Sequence, residues 1–472
     1  MNQNTTSQNI IYALPFFSYS LLITGPMAVM PGLYVKYFGL SIGAIALAKL
    51  LARLFDGITD PLIGYASDRY QHRYGTRKPL IIVGGVLLLL IGAMLYIPYG
   101  WEAQYSQSLS FSYFLFFYLA FTLSWTLMKV PLLAWGADLS SDVQGRSQRF
   151  SFSAIAISSA PVMFFVIPFF PVFESTEVTP ETLKVVVYVS VVLMPLFLFV
   201  CMRSVPDPPR YPELLRKQVA EEVQEINRWD RFKKVVRLVI ANKPLLVFYL
   251  AYGLAGLGNS MSSGLTFFFV DNYLGIAEKL PYAFIMSFGV SVPASWFWGV
   301  LAKKIGAKST WCIGLFLCSI GLAGICFLEP GEAALWPYLV CNGLIGGGYM
   351  SCFVAGFMVL SNIADYGKWK FGQDCSGLYF AFAGTMIKFN LSVGIAVGLL
   401  LTDWLGFDPE AKAVSSASRA ALFIPYSVLP TILLILATIV ISRIPLSTRQ
   451  HADIGRRLDA ETRVAAVSIA KQ

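Results

Sequence analysis

The chain has 472 residues, of which 56% are hydrophobic, 15% aromatic and only 13% charged, against roughly a quarter charged in soluble domains. That balance excludes a soluble globular enzyme. It also excludes a nucleic-acid binder, because the formal charge of +9 comes from basic residues in short connections between apolar segments, not from a patch on a wet surface. The seven cysteines form no C-x-x-C pair and none stands at metal-ligand spacing from a histidine, so they read as small apolar residues, and no cofactor or resident metal is expected.

Along the chain, Met1 to Asn9 is polar and uncharged, without the basic region of a cleaved leader, so the first apolar run is expected to stay as a span. Segments of about 20 apolar residues fall at 10–37, 41–66, 78–98, 109–136, 150–172 and 182–202, then at 243–270, 281–302, 309–328, 335–363, 376–403 and 418–442. Between the two sets lies a polar stretch that opens with the Pro-rich SVPDPPRYPE and continues as a charged, helix-prone segment. The expected organisation is an all-α membrane protein: a six-helix bundle over 1–202, a linker over 203–242, a second six-helix bundle over 243–443 and a tail over 444–472. Gly64-YASDRYQHRYGTRKP after the second span has a degraded echo in Gly299-VLAKKIGAKS after the eighth, which supports an internal duplication. Basic residues follow the even-numbered spans and acidic residues the odd-numbered ones, so both termini are expected in the cytoplasm.

Ionisable residues at membrane depth are costly and are functional-site candidates by default. The second span holds Lys49, Arg53, Asp56 and Asp60, whose spacings of four, three and four put all of them on one helical face. Lys129 in the fourth span and Lys388 in the eleventh are the further deep charges. Two carboxylates one turn apart suit a shared proton or an alkali cation; an ion-pair network that only fixes helix packing is the plainer reading. Asp68, Arg69, Arg77 and Lys78 in the turn after the second span, Asp138, Asp142 and Arg146 after the fourth, and Asp365 near the end of the tenth are expected to latch one bundle against the other as a cytoplasmic gate.

The run Phe55-Asp-Gly-Ile-Thr-Asp-Pro-Leu-Ile-Gly-Tyr-Ala-Ser-Asp-Arg, followed by Gly75-Thr-Arg-Lys-Pro, resembles the glycoside-pentoside-hexuronide:cation symporters, the melibiose-permease branch of the major facilitator superfamily. In the second half Ile363-Ala-Asp-Tyr-Gly-Lys-Trp-Lys, then Gly377 and Lys388, looks like the same family's segment. The resemblance implies that family's fold of twelve helices in two bundles. It also implies that Asp56 and Asp60 are cation-site carboxylates, that Thr59 is a neutral ligand beside them, and that Lys388 links cation and substrate sites. The sequence departs from the pattern where Met128-Lys129-Val130-Pro131 puts a lysine in place of a third acid, where Ser20 replaces the sugar-binding acid of the first helix, and where Ala154 replaces an arginine of the fifth. A fixed ammonium at Lys129 favours proton over sodium coupling, with a transported Na+ kept as the second choice.

The expected function is therefore cation-coupled symport of a carbohydrate-like small solute by alternating access, in a bacterial inner membrane, by a monomer with no nucleic-acid partner. Lys129, Lys388, Arg53 and Lys49 would suit an anionic group on that solute, with Ser20 on the first helix and Tyr19, Trp125 and Tyr379 as stacking residues. The rival substrate is an amphipathic lipid such as a lysolipid. An intramembrane prenyltransferase would need a second acid-rich motif in an opposing helix, and the second half offers only Asp365.

Overall fold

The computed structural model describes residues 6–98, 109–139, 143–207, 240–372, 376–407 and 416–445. The first half comprises α1 (Thr6–Phe38), α2 (Ile42–Tyr74), α3 (Lys78–Tyr96), α4 (Phe111–Asp138), α5 (Val143–Val166) and α6 (Pro180–Ser204). The second comprises α7 (Lys243–Phe268), α8 (Leu280–Ile305), α9 (Ala307–Ile325), α10 (335–371), α11 (Ser376–Trp404) and α12 (416–442). Within α10, Leu335–Ser351 and Phe357–Phe371 are joined by a π turn at Cys352–Gly356, and within α12, Ser416–Phe423 and Leu429–Ser442 are joined by another at Ile424–Val428. A third π turn, Phe269–Tyr273, continues α7.

Among the described residues eleven helices are long and apolar enough to cross a membrane, and α2 is not one of them. Its four charges are the reason, and they are confined to one side. Leu54, Ile58, Leu62 and Tyr65 are each more than 60% exposed and, at 100° per residue, lie opposite Lys49, Arg53, Asp56 and Asp60. α2 thus shows lipid an apolar face and turns its charges inward. It also outruns the expected span. Ser41 caps its start, accepting a hydrogen bond from the Ala44 amide at 3.2 Å, and Gly75, at φ 80°, ends it in the left-handed conformation that glycine adopts without strain. At 1.5 Å per residue the helix is about 50 Å long, longer than the hydrocarbon layer, so its last turns stand beyond it.

The two halves repeat one packing scheme. α1 packs on α5 and α6, α3 on α4 and α6, and α2 on α4; six helices later α7 packs on α11 and α12, α9 on α10 and α12, and α8 on α10. The halves meet along α2 and α11, α5 and α8, and α1 and α7. Close approach inside each half depends on small residues: a side chain at Gly84 would run into the backbone of Met128 on α4, and one at Gly314 into Ser351 and the Gly348 carbonyl on α10.

Prolines inside helices leave carbonyls four residues earlier without their amide donors, a severe cost in lipid unless another group donates. Two such carbonyls are met by side chains of neighbouring helices. Tyr96 on α3 donates to the Leu22 carbonyl, which Pro26 frees, at 2.8 Å. Ser20 on α1 donates to the Ile157 carbonyl, which Pro161 frees, at 2.8 Å, and its oxygen lies 2.8 Å from the Thr24 hydroxyl. Removing the hydroxyl in Ser20→Ala should lower stability by about 1–3 kcal/mol, the cost of an orphaned buried acceptor. In a Pro161→Ala background, where the residue 161 amide can serve the same carbonyl, Ser20→Ala should cost less than about 1 kcal/mol. Thermal unfolding of the four proteins in detergent checks this, and equal losses in both backgrounds would refute it.

Candidate functional site

The inward stripe of α2 faces α4 and α11, and there the predicted residues fall into two groups. Arg53 pairs with Asp56 one turn on, Nη2 to Oδ2 at 3.3 Å. Lys388 on α11 donates through Nζ to Oδ2 of Asp60, an ion pair that joins the two halves of the protein inside the membrane span. Lys129 on α4 sits over the Trp125 ring, 4.6 Å from its centroid, and within electrostatic reach of Asp56, Asp60, Arg53 and Lys388. Each carboxylate has its second oxygen left over: Oδ1 of Asp56 and Oδ1 of Asp60 are buried with no hydrogen-bond partner among the described residues, as is Nε1 of Trp125. Thr59 spends its proton on the Phe55 carbonyl at 3.1 Å and keeps its lone pairs.

The charge balance is informative. With both acids ionised, Arg53, Lys129 and Lys388 set three positive charges against two negative. Lys49 stands apart from this group. It is 4% exposed, seven residues before Asp56, and has no ion pair among the described residues; its ammonium lies 5.8 Å from the Tyr118 ring centroid.

Other predicted residues are placed elsewhere. Tyr19 is 3% exposed and packs on Phe16, ring centroids 5.6 Å apart. Tyr379 is 1% exposed; its hydroxyl accepts from Asn242 at 3.3 Å and its carbonyl from Tyr249 at 2.8 Å, so it seals α11 to α7 rather than lining a cavity. Ser20 is committed to the carbonyl freed by Pro161. At the face where α1 begins and α12 ends, here the terminal face, two of the residues expected to latch the bundles have partners within the first half. Arg77 bonds Asp68 and Ser67, at 2.8 and 2.7 Å. Lys78 donates to the Met202 and Val205 carbonyls, at 2.9 and 2.8 Å, and lies 3.6 Å from Asp207. Arg69 is exposed, Asp365 is carried by Phe357–Phe371 of α10, and the side chains of Asp138, Asp142 and Arg146 lie outside the described residues.

The clamp that joins the halves is at the opposite, far face, on a residue that the sequence reading passed over. Lys36, in the last turn of α1, bonds Glu177 at 2.8 Å and Asp271 of the α7 π turn at 2.9 Å, and Thr176 donates to the Glu278 carbonyl at 2.8 Å. The far-face acids were visible in the sequence; a lone lysine at the end of an apolar span reads as an interfacial anchor, and only the approach of α7 to α1 reveals its partners. Just inside this clamp Phe165 of α5 stacks on Phe284 of α8, centroids 4.3 Å apart and planes 8° from parallel. Between α5, α7, α8 and α10 lies a cavity of about 270 Å³.

The profile of the family described as MFS/sugar transport protein matches residues 11–448. The chain belongs to that family. Its similarity extends to the uncharacterised symporter YnaJ of Bacillus subtilis, 23% identical over 97% of this chain and 95% of that one, and to the inner membrane symporter YicJ of Escherichia coli, 22% identical over 93% and 91%. The lactose permease of Lactobacillus delbrueckii subsp. bulgaricus is 22% identical over 87% of this chain and 64% of its own length. Among solved structures, a bacterial homologue of the human lysosomal transporter Spinster superposes with a TM-score of 0.63 at 13% identity, covering 95% of this chain and 100% of that one. The D-xylose-proton symporter gives 0.61 at 15%, covering 92% and 96%. The fold is that of the major facilitator superfamily, and the protein is a multi-pass membrane transporter rather than an enzyme.

Two outcomes follow from this geometry. Asp60→Ala and Lys388→Met should each destabilise the protein by about 2–4 kcal/mol, since each strands a partner in the span, whereas the double variant should fall short of their sum by more than about 1 kcal/mol; a double-mutant cycle on thermal unfolding reads this, and additivity would deny the coupling. Lys36→Met should open the far face: an exposed ion pair worth up to about 1 kcal/mol corresponds to roughly fivefold faster maleimide labelling of a cysteine at Val35, which lines the cleft beside the clamp.

Proposed function

We propose that this chain is a cation-coupled symporter of a sugar-type solute and that its coupling ion is a proton taken up at Asp60. The observation that carries this reading is the Asp60–Lys388 pair across the two halves, beside carboxylate oxygens that lack partners, in a member of a sugar-transport family. A proton on Asp60 removes the charge that holds Lys388, so the tie between α2 and α11 slackens and the halves can rock; loss of the proton restores it. Asp56, held by Arg53, keeps the local field near balance. Lys129 supplies the fixed positive charge that makes an additional sodium ion unnecessary. One charge moving down about 100 mV yields about 2.3 kcal/mol, enough for roughly 50-fold accumulation at 1.4 kcal/mol per tenfold.

The relatives named as lactose permease, raffinose carrier and isoprimeverose transporter support a sugar as the solute and do not favour a lipid. Arg69, Arg73, Lys303, Lys304, Lys368 and Lys370 crowd the terminal face, which supports placing it in the cytoplasm, and the Escherichia coli relative supports an inner membrane. One chain supplies both walls of the site, which supports a monomer.

Uptake into proteoliposomes tests the proposal. An inward proton gradient should drive sugar accumulation that a sodium gradient does not, and Asp60→Asn should cut accumulation at least tenfold while leaving counterflow exchange. Accumulation driven by sodium alone would overturn proton coupling; gradient-independent uptake, indifferent to Asp56→Asn and Asp60→Asn, would overturn coupling altogether.

A further inference from the structure

The 270 Å³ cavity is separate from the charged cluster. Asp56, Asp60, Arg53, Lys129 and Lys388 do not line it, and neither does any other charged residue among those described. Its wall is made of neutral hydrogen-bonding groups: Asn259, Ser262 and Ser263 on one stretch of α7, Ser287 and Ser291 on α8, and Asn342 on α10. Measured by helical rise, Asn342 lies roughly 10 Å from the far-face start of α10, whereas Asp60 lies roughly 27 Å from the far-face start of α2. Phe353, 18 residues into α10, lies roughly 27 Å down, so the cavity runs from beneath the clamp to the depth of Asp60, but on different helices.

Several of these groups have hydrogen-bonding capacity to spare. Ser262 is 5% exposed, and its hydroxyl, like the side chains of Asn259 and Ser263, has no hydrogen bond to the described protein. Ser291 donates to the Ser287 carbonyl at 2.7 Å, leaving its oxygen as an acceptor, whereas Thr266 bonds both the Ser262 carbonyl, at 3.2 Å, and the Tyr426 hydroxyl. Asn342, 9% exposed, bonds the Tyr338 carbonyl at 3.4 Å and the Tyr338 hydroxyl. These groups open onto the cavity, where a solute's hydroxyls can take the place of water. Aromatic faces complete the wall. Phe284 and Phe288 stand on the α8 side, each stacked on Phe165, while Phe353 and Tyr426 come from the π turns of α10 and α12. Irregular turns of this kind inside helices are frequent at functional sites.

We infer that this cavity binds an uncharged sugar ring of monosaccharide size, with Asn259, Ser262 and Asn342 as its specificity-determining contacts, and that the ring does not touch the coupling carboxylates. The inference rests on the sugar-symport reading above and deepens it. Donors and acceptors without charge satisfy hydroxyls, aromatic faces take the apolar face of a ring, and the volume, just below the usual range of ligand pockets, suits one ring. An anionic solute, which Lys129 and Lys388 suggested from the sequence, would have to leave its charge unpaired here. Because Phe284 and Phe288 are both cavity wall and part of the seal against α5, a bound ring would also bear on closure of the far face.

The test is equilibrium binding to the full-length protein in nanodiscs, by calorimetry, across neutral monosaccharides and the matching uronates. The wild type should bind a neutral sugar at least tenfold more tightly than its uronate. Asn259→Ala and Asn342→Ala should weaken that binding at least tenfold, and Asn342→Gln should recover part of it. Ser263→Cys, a near-isosteric change, should form a mixed disulfide with a small methanethiosulfonate, the sulfinate leaving, and be protected by the same sugar, which checks the location in a protein that needs no large side-chain loss. Unchanged sugar affinity in the α7 and α10 variants, together with unprotected Ser263→Cys, would overturn the site while leaving sugar symport standing. Tighter binding of uronates would overturn the neutral class. A wild type that neither binds nor accumulates any sugar would overturn both readings.

Discussion

A carboxylate inside a bilayer must be neutralised, and the way Asp60 is neutralised organises much of this protein. Its partner, Lys388, belongs to the other half of the chain. The attraction between them thus acts across the interface along which a transporter of this fold has to open. A pair with both members on one bundle would stabilise that bundle and have no effect on rocking. Placed across the interface, the same pair makes the protonation state of one oxygen a determinant of how tightly the halves hold.

Around that pair the labour is divided. The charged groups are concentrated on α2, α4 and α11; the lining of the cavity between α5, α7, α8 and α10 is neutral. A solute in the one and an ion at the other would communicate through the rigid bodies that carry them, as two ligands that favour the same arrangement of the halves. The far-face closure then matters to both. Lys36, Glu177 and Asp271 supply its polar rim and Phe165 with Phe284 its dry core.

The fold was almost fully legible in the sequence, because lipid imposes its requirement on nearly every residue of a span, and twelve apolar runs of fitting length leave little choice. The charged stripe was legible for the same reason, since four charges at helical spacing have only one way to hide. What was not legible depends on contacts between distant helices. Ser20 looked like a substrate residue because its helix position was known and its neighbour was not; the carbonyl that Pro161 frees lies 137 residues away. Tyr379 and Tyr19 were plausible stacking residues until their burial assigned them to packing. The neutral cavity left no signal at all, since scattered serines and asparagines in apolar helices have no period or motif, and only the approach of four helices gathers them.

The sequence separation of Asp60 and Lys388, 328 residues, has a consequence for biosynthesis. At roughly 5–20 residues per second a ribosome needs tens of seconds to pass from one to the other. Throughout that interval α2 must lodge in the membrane without the lysine that will finally hold its second acid. The first half is equipped for the wait. Arg53 pairs with Asp56 and Lys129 stands within reach of Asp60, so both acids have a cation nearby before α11 exists. Lys388 then takes an aspartate already provided for, which leaves the first half's own cations less firmly engaged in the completed carrier.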